Sequence, residues 1–417
     1  MKKEKLEEFN NWWFIKSVPQ DLLRPYKRSL FNQLIRSLNN RQVISITGLR
    51  RTGKTTLMFQ LIQKLLDDGV KNSSVLYFSF DEYAESLDEV INAYREAQKK
   101  DFREEGKYYI FLDEIQKLSK WENQIKKYYD LYPKVKFVIS GSESLFIAEK
   151  TKETLAGRIY ELVLKPMSFS EFIGLKGLGS NIPTIKIKSL FLEYLETGGF
   201  PEIIGKEKAE RKEYVKSIVL DKIIFKDIVS LFGIRDTEAL MQLIELISTN
   251  PGMYLDYSSL AQQLDKDRRS IKNYTILLKE SFLLKIMCNY RKNSMSTLRK
   301  LKRVYPVDSS IITAFKSLID DQFLGRIVEC VIVNHTNSNH FWKNSHEVDM
   351  VVDGVPVEIK YQNKIVDKDL TGLREFMRKF SVKKGLLITK DEERQEKLEE
   401  GEISLLPAWK FCLESKL

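Results

Sequence analysis

The sequence predicts an α/β chain: a parallel sheet wrapped by helices, then a helical stretch, a small winged helix-turn-helix, and a second α/β unit towards the C-terminus. Three observations carry this prediction. Over residues 42–165 short β-rich runs (VISIT, VLYFSF, YYIFL, KFVIS, IYELVL) alternate with amphipathic stretches, as the strands and crossover helices of a parallel sheet do. From 168 to 250 the alternation gives way to helical periodicity, broken at the turn Gly198 to Pro201. From about 320 a helical pattern leads into a hairpin, another helix and the strand GLLIT.

These changes of pattern divide the chain into an α/β domain with an N-terminal helical extension (1–167), a helical lid (168–250), a winged helix-turn-helix (251–307) and a last α/β domain (308–417). In the extension Leu30, Leu34, Ile35 and Leu38 have helical spacing, and Trp12 and Trp13 are read either as an adenine clamp or as anchors of the N-terminal helix. The 417 residues, 43% hydrophobic and 30% charged, suit a globular chain of two to four domains and exclude a single small module. No apolar run approaches the roughly 18 residues of a membrane span, and MKKEKLEEFNNWW lacks the apolar core of a signal peptide, so the expectation is a cytoplasmic protein with no membrane partner. Cys288, Cys330 and Cys412 fit neither a disulfide framework nor a zinc knuckle.

The strand VISIT runs into Gly48, Leu49, Arg50, Arg51, Thr52, Gly53, Lys54 and Thr55, and from Thr56 into the apolar helix TLMFQLIQKLL. This is G-x-x-x-x-G-K-[ST] in its strand–loop–helix context. The glycines let the backbone curl so that N–H groups point at phosphates, and the helix N-terminus adds partial positive charge. Lys54 is expected to neutralise the β/γ-phosphates and the Thr55 hydroxyl to ligate Mg²⁺. A second strand ends in Asp113-Glu114: Asp113 for the magnesium shell, Glu114 to orient or deprotonate the attacking water. KFVIS ends in Ser140-Gly-Ser142, where Ser142 is chosen to touch the γ-phosphate or the water, with a plain turn serine as the alternative. Arg158 is read either as stabilising transferring charge, in cis or from a neighbouring subunit, or as a surface arginine.

The strings ITGLRRTGKTTL, FLDEIQKLSKWENQIKKYYD, ISGSESL, LAGRIYELVLKPMSFSEF and GGFPEI resemble those of prokaryotic AAA+-type ATPases that end in a nuclease-like domain. The resemblance spans most of the chain. It implies ATP rather than GTP, a helical lid after the sheet, and a sensor or finger role for Arg158.

The formal charge of +10 is concentrated: residues 251–303 hold 12 Lys/Arg against 4 Asp/Glu, a net +8. YSSLAQQL reads as a short helix, Asp265-Lys266 as a turn, and DRRSIKNYTILLKE as a second helix whose apolar face is Ile271, Tyr274, Leu277 and Leu278. FLLKIMCNY and LKRVYPV then read as wing strands. On such a fold Arg268, Arg269, Lys272 and Asn273 face a DNA groove, and Arg291, Lys292, Arg299 and Lys300 meet phosphates from the wing. Docking to a protein is the alternative.

In HEVDMVVDGVPVEIKYQ the pair Asp353-Gly354 is a two-residue hairpin turn. Pairing Val352 with Val355 places Asp349 opposite Glu358, and puts Lys360 on the face of Glu358, opposite Glu347. Facing carboxylates repel unless a cation sits between them, which makes Asp349 and Glu358 candidate ligands of Mg²⁺ or Mn²⁺, with Lys360 positioning a water and Glu329 adding a carboxylate. The arrangement resembles the PD-(D/E)XK nucleases, with Val348-Asp349 in place of Pro-Asp, and so implies a restriction-endonuclease-like α/β domain. Such domains either cut or survive as inactive binding platforms. His335, His340 and His346 lie near Cys330 without a standard zinc spacing.

The expectation from sequence is an ATP-hydrolysing AAA+-type protein that engages DNA and carries a metal-dependent nuclease-like domain, with possible homo-oligomers. The rival is an ATP-dependent switch controlling DNA or protein-partner binding, with an inactive nuclease fold.

Overall fold

The five apolar runs of the first part become five strands, β1 (Val43–Thr47), β2 (Val75–Ser79), β3 (Tyr108–Asp113), β4 (Val135–Gly141) and β5 (Ile159–Val163). This computed structural model describes residues 2–82, 84–104, 106–141, 154–179, 181–234, 236–291 and 301–414. Contacts divide the chain into two compact units, Met1–Lys165 and Pro166–Leu417.

In the first unit the order is β2-β3-β4-β1-β5, with every neighbouring pair parallel. Strands β1 to β4 are buried along their whole length, which is why they read as unbroken apolar runs rather than alternating ones. β5, at the edge, has exposed positions. The other edge, β2, is covered by the N-terminal segment: the Asn10 side chain accepts from the Tyr77 N–H at 2.7 Å and donates to the Tyr77 carbonyl at 2.9 Å, as a neighbouring strand would. The Trp12 and Trp13 indoles both donate to the Val75 carbonyl, at 3.1 and 2.8 Å, and both rings are buried. Val75 begins β2, so these rings lie at the edge of the sheet where the parallel strands start. The adenine-clamp alternative therefore falls, and the tryptophans anchor the N-terminal helix.

The described residues of the second unit contain ten strands: β6 (Met253–Tyr254), β7 (Leu284–Asn289), β8 (Lys302–Pro306), β9 (His340–Lys343), β10 (Glu347–Val348), β11 (Met350–Val352), β12 (Val355–Lys360), β13 (Lys384–Thr389), β14 (Arg394–Lys397) and β15 (Glu402–Pro407). They form two sheets, ordered β10-β9-β7-β8-β6 and β11-β12-β13-β15-β14. The chain passes from one sheet to the other at Asp349, between β10 and β11. Sequence patterning separates 168–250, 251–307 and 308–417, yet β7 pairs in parallel with β9 across the 307/308 boundary. One core also draws on all three segments: Phe169, Phe191 and Tyr194, then Met287 and Tyr305, then Val328 and Phe411. Local periodicity cannot register such a boundary-crossing sheet, because the pairing partners are about fifty residues apart.

The GGFP turn has a packing reason. A Cβ on Gly198 (φ 77°) would lie 2.1 Å from Asp308 Oδ1, and one on Gly199 would lie 2.6 Å from the Met167 backbone. The buried Asp308 carboxylate accepts from the Gly199 N–H (2.8 Å) and the Ser310 N–H (2.9 Å), so it joins this turn to the helix Ser309–Phe315 that it caps. Among the described residues no helix is long and apolar enough to cross a membrane.

Candidate functional site

β1 ends at Thr47, and residues 48–53 turn directly into the helix Lys54–Asp67. The turn needs unusual backbone: Gly48 and Gly53 have φ of 139° and 99°, and Arg51 has φ 66°. At Gly48 a Cβ would meet the Leu164 carbonyl at 2.3 Å, so only glycine fits. The helix N-terminus presents its first-turn N–H groups and partial positive charge at the end of the loop. The buried Lys54 ammonium donates to the Gly48 and Leu49 carbonyls, both at 3.0 Å.

β4 lies between β1 and β3, so the end of β4 borders both the loop and Asp113. Thr55 Oγ1 donates to Asp113 Oδ2 at 2.6 Å, Tyr77 Oη to the same oxygen at 3.0 Å, and Ser140 Oγ to Asp113 Oδ1. Burial, with the Asp113 charge behind it, pushes the Tyr77 phenol well above its ordinary value, so Tyr77 stays a donor. Glu114 takes left-handed backbone (φ 52°, ψ 42°), a cost that non-glycine residues meet mostly at functional turns. Its N–H donates to Asp113 Oδ1 at 3.1 Å, and Gln116 Nε2 donates to its carboxylate. A hydroxyl and a carboxylate 2.6 Å apart at a phosphate loop are the oxygen donors Mg²⁺ takes, so the residues fit Mg-ATP.

Ser142 lies outside the described residues; Ser140, two positions earlier, is the hydroxyl that meets Asp113. Sequence reading also missed Tyr77 and Arg28. The buried Arg28 donates to the Thr52 carbonyl at 2.7 Å and the Lys165 carbonyl at 2.8 Å, bracing the loop. Gln60 holds the same N-terminal segment through the Arg24 and Tyr26 carbonyls. Nothing local marks Arg28, one cation in a basic stretch.

The geometry bears on one of the readings of Arg158, the role in cis. β5 runs parallel to β1 with Ile159 beside Val43, so Arg158 lies where the strands start, while the phosphate loop follows their ends. The five residues of β1 separate them by about 16 Å. Arg158 Nε instead donates to Asp130 at 3.1 Å, and a role in cis is excluded by this geometry.

In the second unit the helices Tyr257–Gln263 and Arg268–Glu280 follow β6, and β7–β8 form an antiparallel pair behind them. Arg268, Arg269, Lys272 and Asn273 are exposed on the second helix, whose opposite face buries Ile271, Tyr274, Leu277 and Leu278. Arg291 is exposed; Lys292, Arg299 and Lys300 lie outside the described residues.

The hairpin has the expected register, Val352 opposite Val355 and Met350 opposite Val357. Asp349 and Glu358 do meet: the Asp349 N–H donates to Glu358 Oε2 at 3.3 Å, and the Ile359 N–H donates to Asp349 Oδ2 at 2.9 Å. Lys360 Nζ pairs with Glu358 Oε1. Burial and the Asp349 charge push Glu358 up to about 8, against the pull of Lys360; burial and Asp349 push Glu329 up to about 7.

An arginine lies among the residues expected to hold the metal. Arg303, 8% exposed, sits among these acids: Nη1 lies 3.1 Å from Asp349 Oδ1 and 3.2 Å from Glu347 Oε1, and Nη2 lies 2.5 Å from Glu329 Oε1. Its Nε donates to the Gly252 carbonyl at 2.9 Å, and a Cβ on Gly252 would crowd Nη2 at 2.9 Å. Burial works against the guanidinium charge, but Glu329, Asp349 and Glu347 more than restore it. Among the described residues no group of three or more His, Cys, Asp or Glu could hold a metal ion. The histidines do not gather: His335 packs on Phe411, His340 on Tyr290, and His346 bonds Glu375 at 2.7 Å.

By loop and sheet order, the first unit is a P-loop nucleotide-binding domain. Residues 40–173 match the family model of an AAA domain. Residues 188–322 and 324–411 match two further families, each described as a domain of unknown function (DUF8612 and DUF4143). An uncharacterized protein of Haemophilus influenzae is 26% identical over 297 residues, 68% of this chain and 72% of that one. An uncharacterized protein of Methanocaldococcus jannaschii is 23% identical over 400 residues, 88% and 87% of the two chains. Among solved structures, the S. cerevisiae Hsp104:casein complex aligns at 18% identity and TM-score 0.33 over 63% of this chain, which spans 51% of the Hsp104 chain. AMPPCP-bound DnaA from Aquifex aeolicus aligns at 17% identity and TM-score 0.31, over 60% of this chain and 86% of that one.

Proposed function

We propose that this protein binds Mg-ATP at residues 48–56, hydrolyses it, and uses the cycle to control how its second unit engages DNA. The observation that supports hydrolysis is the contact of Thr55 with Asp113 at 2.6 Å beside the phosphate loop. In this reading the loop N–H groups and Lys54 hold the β/γ-phosphates, Thr55 and Asp113 hold the metal, and Glu114 orients the attacking water. A bound Mg²⁺ supplies charge neutralisation at the phosphates. Ser140 and Tyr77 fix the Asp113 carboxylate. Lys54→Ala should abolish phosphate release from ATP, and unchanged turnover would end the ATPase reading. Since Arg158 cannot act in cis, a finger role goes with a homo-oligomer, and turnover per chain should then rise with protein concentration. Concentration-independent turnover would leave Arg158 as the partner of Asp130 alone.

DNA engagement is supported by the exposed Arg268, Arg269, Lys272 and Asn273 on a helix followed by the antiparallel strands β7 and β8, the order of a winged helix. Replacing Arg268, Arg269 and Lys272 together with alanine should weaken binding to random DNA and lower the salt slope by about 3. Binding to an acidic protein that survives these changes would favour the docking alternative. Cleavage with Mg²⁺ or Mn²⁺ at Glu329, Asp349, Glu358 and Lys360 is supported by their convergence and opposed by Arg303 among them; we therefore favour a binding platform over a nuclease. Equal behaviour of wild type and Glu358→Ala towards linear, nicked and branched DNA is expected, and cleavage lost only in the variant would reverse this choice.

A further inference from the structure

We propose that Arg303 is the resident cation of the carboxylate centre, taking the place between Glu329, Glu347 and Asp349 that a divalent metal would otherwise fill, so that this centre takes no metal. The proposal is independent of the ATPase reading and concerns the second unit alone.

Three features support it. First, the guanidinium is used on every side. Nη1 serves Asp349 and Glu347, Nη2 serves Glu329, and Nε serves the Gly252 carbonyl. A planar fork with separate donors can meet three carboxylates that approach from different elements, which a lysine ammonium cannot do without giving up one of them.

Second, the acids are satisfied by protein groups. The Tyr305 hydroxyl donates to Glu329 Oε1 at 2.7 Å. Asp349 Oδ2 takes the Ile359 N–H, and Glu358 takes Lys360 and the Asp349 N–H. Glu347 Oε2 takes the Tyr254 hydroxyl at 2.6 Å and Lys343 Nζ at 3.1 Å. A metal ion entering here would have to displace both a cation and several of these donors, and a second positive charge beside a buried guanidinium is repelled.

Third, the fold makes room for the arginine. Arg303 comes from β8, Glu329 from the helix Asp321–His335, Glu347 from β10 and Asp349 from the residue between β10 and β11, so long-range folding assembles the centre around the side chain. Gly252, with φ 81° and no side chain, provides the space that Nη2 uses.

The network has a mechanical result. The ion pairs fasten β8 to the helix Asp321–His335 and to the segment that joins β10 to β11.

The test uses the full-length protein without nucleotide, in an Asp113→Asn background that removes the carboxylate of the phosphate site. Mn²⁺ is titrated in, and free ion is followed by electron paramagnetic resonance alongside thermal unfolding. We expect no saturable Mn²⁺ binding and no shift of the midpoint. In the same background Arg303→Met should lower the unfolding midpoint by about 10 °C, the effect of uncovering a buried set of charges. It should also gain one Mn²⁺ per chain, with recovery of part of the midpoint. Arg303→Lys, which keeps a charge, should still exclude Mn²⁺ and covers the case in which the methionine variant fails to fold. A saturable Mn²⁺ site in the Arg303-containing protein that Glu358→Gln abolishes would overturn the proposal. So would an Arg303→Met protein that folds and takes no Mn²⁺, or an Arg303→Lys protein that binds it.

Discussion

The two acidic centres of this chain differ in what answers their charge. At the end of β3 the Thr55, Ser140 and Tyr77 hydroxyls and one amide, all neutral donors, bond Asp113, and Lys54 donates to loop carbonyls. At Asp349 the donors include a guanidinium, with an ammonium beside it on Glu358. Neutral donors orient a carboxylate and leave its charge available to a ligand's cation. A resident cation orients and also neutralises, which closes the site. The contrast teaches that converging carboxylates identify an ion site only once their counter-charges have been found.

The largest expected effect sets the two centres against each other in one assay. Glu114→Gln should lower ATP turnover by about 10² to 10⁴-fold while nucleotide binding persists, the usual loss when the group that handles the water's proton is removed. Glu358→Gln, measured for phosphate release in parallel, should leave turnover unchanged, and a comparable loss there would break the comparison. A middle-sized effect lies in stability. Glu329→Gln takes away one carboxylate of the Arg303 cluster and should cost about 3 kcal/mol, seen as a lower unfolding midpoint of the second unit in calorimetry. An unaltered midpoint would mean that Arg303 needs only Asp349 and Glu347. The smallest effect sharpens the first centre: Tyr77→Phe removes one hydrogen bond to the Asp113 carboxylate, about 1.5 kcal/mol, and should change the Mg²⁺ dependence of turnover by about tenfold. A loss as large as that of Glu114→Gln would make Tyr77 more than an orienting group.

What could be read from sequence follows from how the chemistry is distributed along the chain. The phosphate loop was legible because its groups are consecutive and their context, a strand before and a helix after, is local. The hairpin register was legible because Asp353-Gly354 and the alternating valines determine it. Tyr77 and Arg28 escaped notice because they reach the site from other elements, and an isolated tyrosine or arginine has no pattern; Ser140 was passed over for Ser142 in the same short motif. The readings of Arg158 stayed open for a related reason: whether a residue sits at the beginning or the end of a parallel strand decides its distance from the loop, and only the β1–β5 register reveals it. Arg303 entered the charge count of the basic segment, yet it faces acids that follow it by 26 to 46 residues. Net charge per segment records how many cations there are and says nothing of which are already spoken for.

The parallel join of β7 to β9 bears on how this protein can be taken apart. The Cys288 and Tyr290 N–H groups are paired with the Asn339 and Phe341 carbonyls at 2.8 and 2.6 Å. A polypeptide stopped at residue 307 would leave that side of β7 as a bare edge, with donors and acceptors directed at solvent and the cover of Phe341 gone. Such a piece is liable to recruit a second copy of itself as a substitute neighbour, and any nucleic-acid affinity it displayed would be that of an aggregate. Dissection of the second unit is therefore better attempted by point substitution than by truncation.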